Sequence, residues 1–433
     1  MGRGARRLGA MTGSDHGPSA RSLRILFHTG IDVTLAEGHA THVRRLTEAF
    51  VARGHRVRVL CLSPEGPIVW LGPPDGCRVI ERPDVPRLGH WVAQLRSRRA
   101  INREVRSFVP DILLARQEPL TIAPLGWPSI LCVESNASCA GHARLAGLGW
   151  LRRKVEDLTE GALLRRAAVI GNVTASLRTI HHERHGIPLD RMVEIPNGAW
   201  LPPLAIEPGL ERRRALGIPD ATFLAGYAGN LSHWHDLRSV FTALGSPELA
   251  SVRLWIAGDG SAREPLEAAV RKAGLEGRIL FLGPRPEEEV AALAMGTQVL
   301  LAPYRPSSFR TLYGDPVPTL KVLFGMACDR PILANAAPLV AELGAGESIS
   351  SMPAQPPPDV EPNPDADPDA EPWRIALRRW LDRWKDAGAP LRDWPWPCGE
   401  GPGRRYVESE RTWDHTAGAW ERAMLRVIAS RSR

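Results

Sequence analysis

Apolar residues along this chain occur alternately in short continuous runs and at helical spacing. The run RILFH (24–28) is followed by a loop and by HVRRLTEAFVARGHRVRVLCL, where Val43, Leu46 and Phe50 recur at helical intervals. Gly54 stops this predicted helix, and VRVLCL resumes as a buried strand. This order predicts the β-α-β unit of a parallel, doubly wound sheet.

The same alternation continues through the rest of the chain and divides it into two series. DILLA at 111, SILCVES at 129 and AVIGN at 168 predict further strands, and MVEIPNGAW (192–200) closes the first series. The Pro-rich stretch LPPLAIEPG is interpreted as an irregular linker. A second series follows, with strands predicted in TFLAGYAGN, SVRLWIAGDG, RILFLGP, TQVLLAPY and RPILAN. We therefore predict an α/β protein with Rossmann-like domains at 23–203 and 204–350, and a ligand cleft between them.

Length and composition fit this two-domain interpretation. The chain has 433 residues, 43% hydrophobic and 24% charged, and it contains no apolar run long enough to span a membrane. Residues 1–22 lack a signal-peptide core and predict a disordered leader on a cytoplasmic protein. The Pro/Asp-rich stretch 351–372 predicts a disordered insert. Residues 373–433 predict helices whose tryptophans pack into a core, the last helix lying back across the domains.

Charge and cysteine content narrow the classes of partner. The six cysteines are scattered and form no CxxC pair, so we expect reduced thiols and no zinc site. The net charge of +7 suits a nucleotide diphosphate or an anionic membrane surface, and no nucleic-acid-binding module is recognisable. Segments 88–108 and 148–158 combine Trp and Leu with clustered Arg and would suit peripheral membrane contact. Solvated Arg-rich helix faces are the commoner explanation of such segments.

Three short stretches at predicted strand ends and helix starts are candidate anion-binding sites. They are Gly38-His39 before the first helix, Gly229-Asn230 with His235 after the first strand of the second series, and Thr319-Leu320-Lys321 at a later helix start. Helix N-terminal amides favour anions, and glycine lets a ligand approach the backbone. An ordinary strand-helix turn or a capped helix explains each stretch about equally well by itself.

Three other motifs resemble functional sites and are set aside. Asp365-Ala366-Asp367 lies in the Pro/Asp repeat, where such pairs arise from composition. The stretch 181–185 (HHERH) has its Glu misplaced for a zincin helix and is interpreted as a solvated helix end. Gly258-Asp259-Gly260 lacks the third glycine of a dinucleotide fingerprint. No metal or nicotinamide enzyme is predicted.

Taken in order, the motifs resemble family 4 of the glycosyltransferases, which are retaining enzymes of GT-B fold that use nucleotide-sugar donors. The resemblance runs from about residue 23 to 345 and rests on segments such as EGHATHVRRLTEAFVARGHRVRVL, LLRRAAVIGNVTASLRTIHHERHGIPLDRMVEIPNGAW and AGYAGNLSHWHDLRSVFTAL. ARQEP at 115 and CVESNA at 132 resemble a subgroup with Arg at one strand end and Glu-x-Asn at the next, which implies that Arg116, Glu134 and Asn136 line the floor of the acceptor side. The alternative is that they are strand-end polar residues that cap loops. The family resemblance further implies that backbone around Gly283 and Pro284 recognises the nucleobase, with no metal at the donor site.

The chain departs from this family where the donor is bound. The family commonly places Arg and Lys on the donor diphosphate, at positions that are Asn230 and His235 here. Its two Glu residues, one near the donor sugar and one on the ribose, correspond to Pro316 and Phe324. Asp315 is next to the first position, whereas no carboxylate is near the second. Each lost charged hydrogen bond costs about 1.5–3 kcal/mol.

Two functions are compatible with these residues. The first is an active glycosyltransferase that uses a UDP- or GDP-linked sugar and a small-molecule, glycan or lipid-linked acceptor, with Lys321 and helix amides stabilising the diphosphate. The second is a degenerate protein of the same fold that has lost turnover and serves a partner enzyme. The intact surrounding loops favour the active enzyme.

Overall fold

A computed structural model describes residues 21–35, 37–62, 74, 76–80, 89–127, 130–313, 319–335, 349–351, 369–388, 391 and 401–431. Most of the predicted leader (1–20) and of the predicted insert (352–368) lies outside these residues. Within the described residues the chain forms two parallel β-sheets, each packed between helices. The predicted α/β fold with two doubly wound domains is confirmed.

The first sheet has seven parallel strands in the order β3-β2-β1-β4-β5-β6-β7. The strands are β1 (Arg24–His28), β2 (Arg56–Leu62), β3 (Cys77–Ile80), β4 (Ile112–Arg116), β5 (Ile130–Ser135), β6 (Val169–Asn172) and β7 (Met192–Glu194). The helices of this half are α1 (Gly38–Ala52), α2 (Gly89–Ser107), α3 (Cys139–Leu145), α4 (Trp150–Arg166) and α5 (Ala175–His185). The chain reverses direction across the sheet between β1 and β4, which is where such folds bind ligands.

The second sheet has six parallel strands in the order β10-β9-β8-β11-β12-β13. They are β8 (Phe223–Ala228), β9 (Val252–Ala257), β10 (Ile279–Gly283), β11 (Val299–Ala302), β12 (Ile332–Ala334) and β13 (Ile349–Ser351). The helices are α6 (Ile206–Ala215), α7 (Leu237–Leu244), α8 (Arg263–Lys272), α9 (Glu287–Met295), α10 (Pro306–Tyr313) and α11 (Leu320–Ala327). The carboxyl ends of β8 and β11 carry the loops that form the candidate donor site.

Both sheets are buried on both faces, which explains why their strands read as continuous apolar runs. In β1, Ile25 and Phe27 belong to the core on one face of the sheet, whereas Leu26 belongs to the core on the other face. In β8, Phe223 and Leu224 are divided in the same way.

The predicted linker is only partly irregular. Residues 201–205 have no regular structure, but α6 begins at Ile206 and includes the rest of the stretch. Pro208 lies in the first turn of this helix, where proline is tolerated because no intrahelical N–H bond is lost. The interpretation of residues 206–209 as irregular was therefore wrong.

The C-terminal part of the chain forms α12 (Glu371–Ala387), α13 (Pro402–Glu410) and α14 (Trp413–Arg431). Helix α12 inserts Trp373 and Trp380 into the core of the second domain, as the spacing predicted. Helix α14 inserts Trp413 and Trp420 into the core of the first domain. Within the described part of the chain, no helix combines the length and apolar character needed to cross a bilayer.

Candidate functional site

The starts of α1 and α11 approach each other from the two domains. A Cβ placed on Gly38, the first residue of α1, would lie 3.7 Å from Cδ1 of Leu320, the first residue of α11. Leu320 packs against the core of the first domain, although its helix belongs to the second. Two helix N-termini, each a region of partial positive charge, therefore meet at the cleft. The predicted position of Gly38 and Leu320 at one site agrees with this geometry.

Lys321 lies between two tyrosines on the donor side. Its Nζ donates a hydrogen bond to the Tyr227 hydroxyl at 3.0 Å and lies 4.2 Å from the centre of that ring. The Tyr304 ring centre is 5.3 Å away on another side. Burial lowers the pKa of Lys321 from 10.5 to about 7. Because only about half of the amines carry a proton at pH 7, an approaching diphosphate would increase the charge of Lys321.

The tyrosines also order the backbone around the lysine. The Tyr227 hydroxyl donates to the Asn230 carbonyl at 2.7 Å. The Tyr304 hydroxyl is hydrogen bonded to the Thr319 hydroxyl, which precedes α11. The first bond of α11 among the described residues runs from Leu323 N to Thr319 O, so the Leu320 and Lys321 amides come before it. These hydrogen bonds hold the backbone on both sides of the predicted anion site at this helix start. Neither tyrosine was predicted to belong to the site.

Glycines at three neighbouring strand ends bring the donor-side loops together. Gly229 has a φ of 145°, and a Cβ there would lie 3.0 Å from Cε of Lys321. Gly258 has a φ of 142°, and its Cβ would lie 2.0 Å from the Gly229 carbonyl oxygen. Gly258 N in turn donates to the Gly283 carbonyl at 2.9 Å. Among the described residues, Gly283 is thus linked to Lys321 through Gly258 and Gly229, and Pro284 is exposed.

His235 is held close to the lysine in a neutral state. Its Nδ1 is 3.0 Å from the Ser232 hydroxyl, and its ring packs edge-on against Tyr227. Burial lowers the pKa of His235 well below 6.5, and the charge of Lys321 lowers it further. His235 therefore offers a hydrogen bond and no charge. Of the other predicted donor residues, His39 pairs with Glu37 at 2.9 Å, and Asp315 and Pro316 lie outside the described residues.

The acceptor side is built around a buried carboxylate. Glu134, at the end of β5, accepts from His42 Nε2 at 2.6 Å and from the Arg116 guanidinium at 2.9 Å. Burial raises the pKa of Glu134, but His42 and Arg116 overcome this and bring it down to about 2. Burial also lowers the pKa of His42, which therefore donates as a neutral ring. Both carboxylate oxygens are engaged, so Glu134 acts by orienting Arg116 and His42.

Asn136 and Glu118 belong with Glu134 and Arg116 to the acceptor floor, our name for these polar residues at the ends of β4 and β5. Asn136 Nδ2 is buried and has no hydrogen-bond partner among the described residues, so it is available to a ligand. Glu118 follows β4 and accepts from the Thr29 hydroxyl and the Gly30 amide, both at 2.7 Å. Burial raises the pKa of Glu118, while Arg116 opposes this shift. Glu118 was not predicted, although it stands in the same ARQEP stretch as Arg116.

Helix α10 closes the cleft against the first domain. Ser138 N donates to the Leu312 carbonyl at 3.0 Å, and the Thr174 hydroxyl donates to the Tyr313 carbonyl at 3.3 Å. Across the domains, Arg45 on α1 pairs with Glu287 on α9 at 2.8 Å. These contacts hold the two domains against each other, with the predicted acceptor residues on the first domain facing the predicted donor loops of the second.

The histidines of the HHERH stretch do not form a solvated helix end. His181 is fully buried, the His185 side chain is 4% exposed, and both approach Glu160 on α4. Burial lowers the pKa of His181 to about 4. His182, Glu183 and Arg184 are exposed, as expected. The interpretation was wrong for His181 and His185 because the partner carboxylate lies on a different helix.

Comparisons with known proteins agree with this two-domain arrangement. Residues 37–198 match the family model "Glycosyl transferase 4-like domain", and residues 222–355 match "Glycosyl transferases group 1". The first model spans β2 to β7 of the first sheet, and the second model spans all six strands of the second sheet. The protein has the GT-B glycosyltransferase fold.

This GT-B protein is similar in sequence to two proteins that are named as glycosyltransferases. It is 27% identical over 221 residues to 2-deoxystreptamine N-acetyl-D-glucosaminyltransferase of Streptomyces fradiae, covering 49% of this chain and 50% of the relative. It is 30% identical over 151 residues to 2-deoxystreptamine glucosyltransferase of Streptomyces kanamyceticus, covering 32% of this chain and 38% of that relative. The matched segments thus span half or less of these relatives' lengths.

Solved structures reproduce the fold over nearly the whole chain. Sucrose-phosphate synthase from Thermosynechococcus elongatus superposes with a TM-score of 0.67 at 16% identity, over 95% of this chain and 100% of the other. Anabaena HepE in complex with UDP-glucose superposes with a TM-score of 0.63 at 15% identity, over 94% and 100%. These likenesses show the GT-B fold, and with the matching domains they support a glycosyltransferase.

Proposed function

We propose that this protein is a glycosyltransferase that moves a sugar from a nucleotide-sugar donor to an acceptor with retention of anomeric configuration. The observation that carries the proposal is the position of Lys321. It stands in the first turn of α11, whose start faces that of α1 across the cleft. Two helix N-termini and one amine of adjustable charge suit the diphosphate of a leaving nucleotide.

In the proposed reaction the bond between the sugar anomeric carbon and the diphosphate oxygen breaks. The acceptor hydroxyl forms a new bond on the same face of the sugar, and its proton passes to the departing phosphate. The resemblance to retaining GT-B enzymes supports this course. Lys321 and the amides of Leu320 and Lys321 would stabilise the negative charge on the diphosphate, and no metal is required there.

The donor side supports the reaction without the family's charged side chains. Asn230 and His235 occupy the positions of its Arg and Lys, and both are uncharged here. Lys321 would then supply the positive charge nearest the diphosphate. Gly283 and Pro284 would meet the nucleobase through their backbone. UDP is the first nucleotide to test because HepE, which shares the fold, was solved with UDP-glucose.

The acceptor side supports a polar acceptor. Arg116, Asn136 and Glu118 present a cation, an amide and a carboxylate at neighbouring strand ends. The names of the two curated relatives specify 2-deoxystreptamine, which carries amino and hydroxyl groups. We infer that an aminocyclitol of this kind is the first acceptor to test, with Glu118 facing an acceptor amine.

The first experiment is a thermal-shift titration with UDP, GDP, ADP, TDP and their common sugar conjugates in the presence of EDTA. A ligand that binds only the folded protein raises the melting temperature. The donor so identified is then incubated with 2-deoxystreptamine, and the product anomer is assigned by NMR. We expect a product of retained configuration that depends on Lys321 and not on the exposed Lys272, tested as Lys321→Ala and Lys272→Ala.

Absence of any nucleotide shift together with absence of transfer would overturn the proposal. That outcome would favour the degenerate scaffold protein, which no present observation supports. A nucleotide shift with an inverted product would overturn only the retaining mechanism. A shift without transfer to 2-deoxystreptamine would overturn the proposed acceptor and leave donor binding intact.

We also propose that α4 brings the protein to an anionic membrane surface. Trp150, Leu151 and Leu158 are 57–70% exposed on this helix, and Arg152, Arg153 and Lys154 lie among them. Exposed apolar side chains beside basic ones are typical of interfacial helices. Co-sedimentation with phosphatidylglycerol vesicles at low salt, reduced by Trp150→Ser/Leu151→Ser, tests this contact. Equal sedimentation of both proteins, or none, would overturn it.

A further inference from the structure

Three potential metal ligands from two helices meet inside the first domain. Glu160 lies on α4, and His181 and His185 lie one helical turn apart on α5. One ligand atom from each lies within 4.8 Å of the other two. All three side chains are buried, with Glu160 at 3% and His181 at 0% exposure. The cluster lies outside the cleft and takes no part in the proposed transfer.

We propose that Glu160, His181 and His185 bind a structural Zn²⁺ ion. Two imidazole nitrogens and one carboxylate form a common zinc ligand set, with a fourth position left for water. The hard cations Mg²⁺ and Ca²⁺ prefer all-oxygen sites and fit these residues poorly. The inference is independent of the proposed transferase activity.

The separation between His185 and Glu160 fits two ligands of a bound ion better than a hydrogen bond. His185 Nε2 lies 3.4 Å from Glu160 Oε2, longer than an N–H···O bond of about 2.9 Å. Two ligands of a tetrahedral zinc ion, each bound at about 2.0–2.1 Å, lie about 3.3 Å apart. The observed separation matches that edge.

Two nitrogen atoms of the cluster are left without hydrogen bonds. His181 Nδ1 and His185 Nε2 are buried and have no hydrogen-bond partner among the described residues. Buried polar atoms are normally satisfied, because an unpaired buried donor or acceptor destabilises the folded protein. A metal ion would satisfy both at once.

In two of the three ligand groups, His181 and Glu160, the second atom is already held, as is usual at metal sites. His181 Nε2 is 2.8 Å from the Ser135 hydroxyl, so Nδ1 is the nitrogen available to the ion. Glu160 accepts from the Cys139 amide at 2.9 Å and from the Gln117 side chain. Such outer contacts fix the tautomer and orientation of metal ligands.

The outer contacts connect the proposed ion to the acceptor floor. Ser135 stands between Glu134 and Asn136, and Gln117 directly follows Arg116. The ion would therefore hold the carboxyl ends of β4 and β5 in place from the side away from the cleft. Its role is structural, because no ligand of the cluster reaches the cleft through a described contact.

The test uses the full chain without a polyhistidine tag, treated with a chelator and then titrated with Zn²⁺. We expect about one zinc per chain after gel filtration and a rise in melting temperature of about 2–4 °C. Co²⁺ should give the visible bands of a tetrahedral site without a thiolate charge-transfer band. Such a thiolate band would instead assign the metal to cysteines and overturn the proposal.

Variants distinguish this cluster from other histidines. His181→Ala and His185→Ala should each lose the bound zinc and the thermal shift. His182→Ala, in an exposed residue of the same helix, should retain both. Glu160→Gln, which keeps the side-chain shape, covers the case in which a histidine variant fails to fold. Equal zinc binding by wild type and Glu160→Gln, or no binding by wild type, would overturn the proposal.

Discussion

The acceptor floor lies at the carboxyl ends of β4 and β5, and the donor loops lie at those of β8 and β11. The two regions stabilise charge in different ways. On the floor, Glu134 has a cation and a neutral histidine bound to its two oxygens. On the donor side, Lys321 is surrounded by Tyr227 and Tyr304, and no ion pair of it occurs among the described residues. The charge of Glu134 is neutralised within the protein, whereas the charge of Lys321 is left to be neutralised by a bound ligand.

This difference indicates where a charged substrate gains binding energy. A buried ion pair such as Glu134 with Arg116 is already compensated and contributes orientation. An amine with a pKa of about 7 carries its proton about half of the time at pH 7, and it becomes fully charged when an anion binds beside it. The donor loop is therefore the side on which ligand binding and protonation are coupled.

Removing the carboxylate of the floor should have the largest effect. Glu134→Ala removes the 2.9 Å partner of Arg116 and leaves it the longer contact with Glu118 at 3.9 Å, which should cost up to about 3–5 kcal/mol of unfolding free energy. Urea denaturation measures the loss. Glu288→Ala, which removes an exposed partner of Arg45, should cost less than about 1 kcal/mol. Similar losses in both variants would mean that the floor is not electrostatically compensated.

Removing the amine of the donor loop should mainly affect binding. Lys321→Ala should weaken UDP binding by about tenfold to hundredfold, since a charged hydrogen bond contributes about 1.5–3 kcal/mol. Isothermal titration calorimetry gives both affinities, with Lys272→Ala as the surface control. Unchanged affinity in Lys321→Ala would place the diphosphate elsewhere.

The lowered pKa of Lys321 gives the donor loop a characteristic pH dependence. Above pH 7 the free amine loses its proton and must regain it when a diphosphate binds, so UDP affinity should fall by up to about tenfold per pH unit. The nucleotide itself is already fully ionised there. Calorimetry at pH 7, 8 and 9 should show this slope in wild type and not in Lys321→Ala.

The contribution of Lys321 to the free energy of unfolding should change with pH in the opposite direction to the UDP affinity. Between pH 7 and its ordinary pKa of 10.5, the unfolded chain holds the Lys321 proton and the folded chain does not. The contribution of Lys321 to stability therefore rises with pH over this range. If the UDP affinity and this contribution to the free energy of unfolding both fell as the pH rises, the lowered pKa would not belong to Lys321.

Adding a carboxylate to the donor side should give the smallest effect. Phe324 is half-buried on α11, at the position where family 4 enzymes place a ribose-binding Glu. Phe324→Glu should tighten UDP binding by about twofold to tenfold, the value of a single hydrogen bond. Phe324→Gln introduces a side chain of the same shape as Glu without its charge, so comparing the two variants shows how much of the gain comes from the charge. No gain in either variant would mean that the ribose lies away from α11.

Parallel strands explain why the fold was predictable from the sequence. Their burial on both faces produces apolar runs such as those of β1 and β8, which stand out between amphipathic helices. The start of α6 was missed because Pro208 suggested a linker. Glycine loops and helix starts also indicated the donor side, since these features are local in the sequence.

The environment of each charged group depends on residues far apart in the chain. Tyr227 is 94 residues from Lys321, and His42 is 92 residues from Glu134. The pair His181 and His185 was visible at helical spacing, but Glu160 lies on another helix. The sequence indicated that Lys321 stands at a helix start and that Arg116 and Glu134 stand at strand ends, while their partners and the pKa values of Lys321 and Glu134 required the packed structure.

The packing of α14 has a consequence for how the protein folds during synthesis. Trp420 lies where a Cβ on Gly171 would be only 2.4 Å from its ring, and Trp413 packs against His42 at 4.9 Å. The first sheet therefore cannot complete its core until residues 413–431, which follow the whole second domain, have been made. Until then the nascent first domain exposes the apolar surface that these tryptophans cover, and His42 lacks the ring that braces it. The chain should acquire its acceptor floor last, although the floor's own residues are translated first.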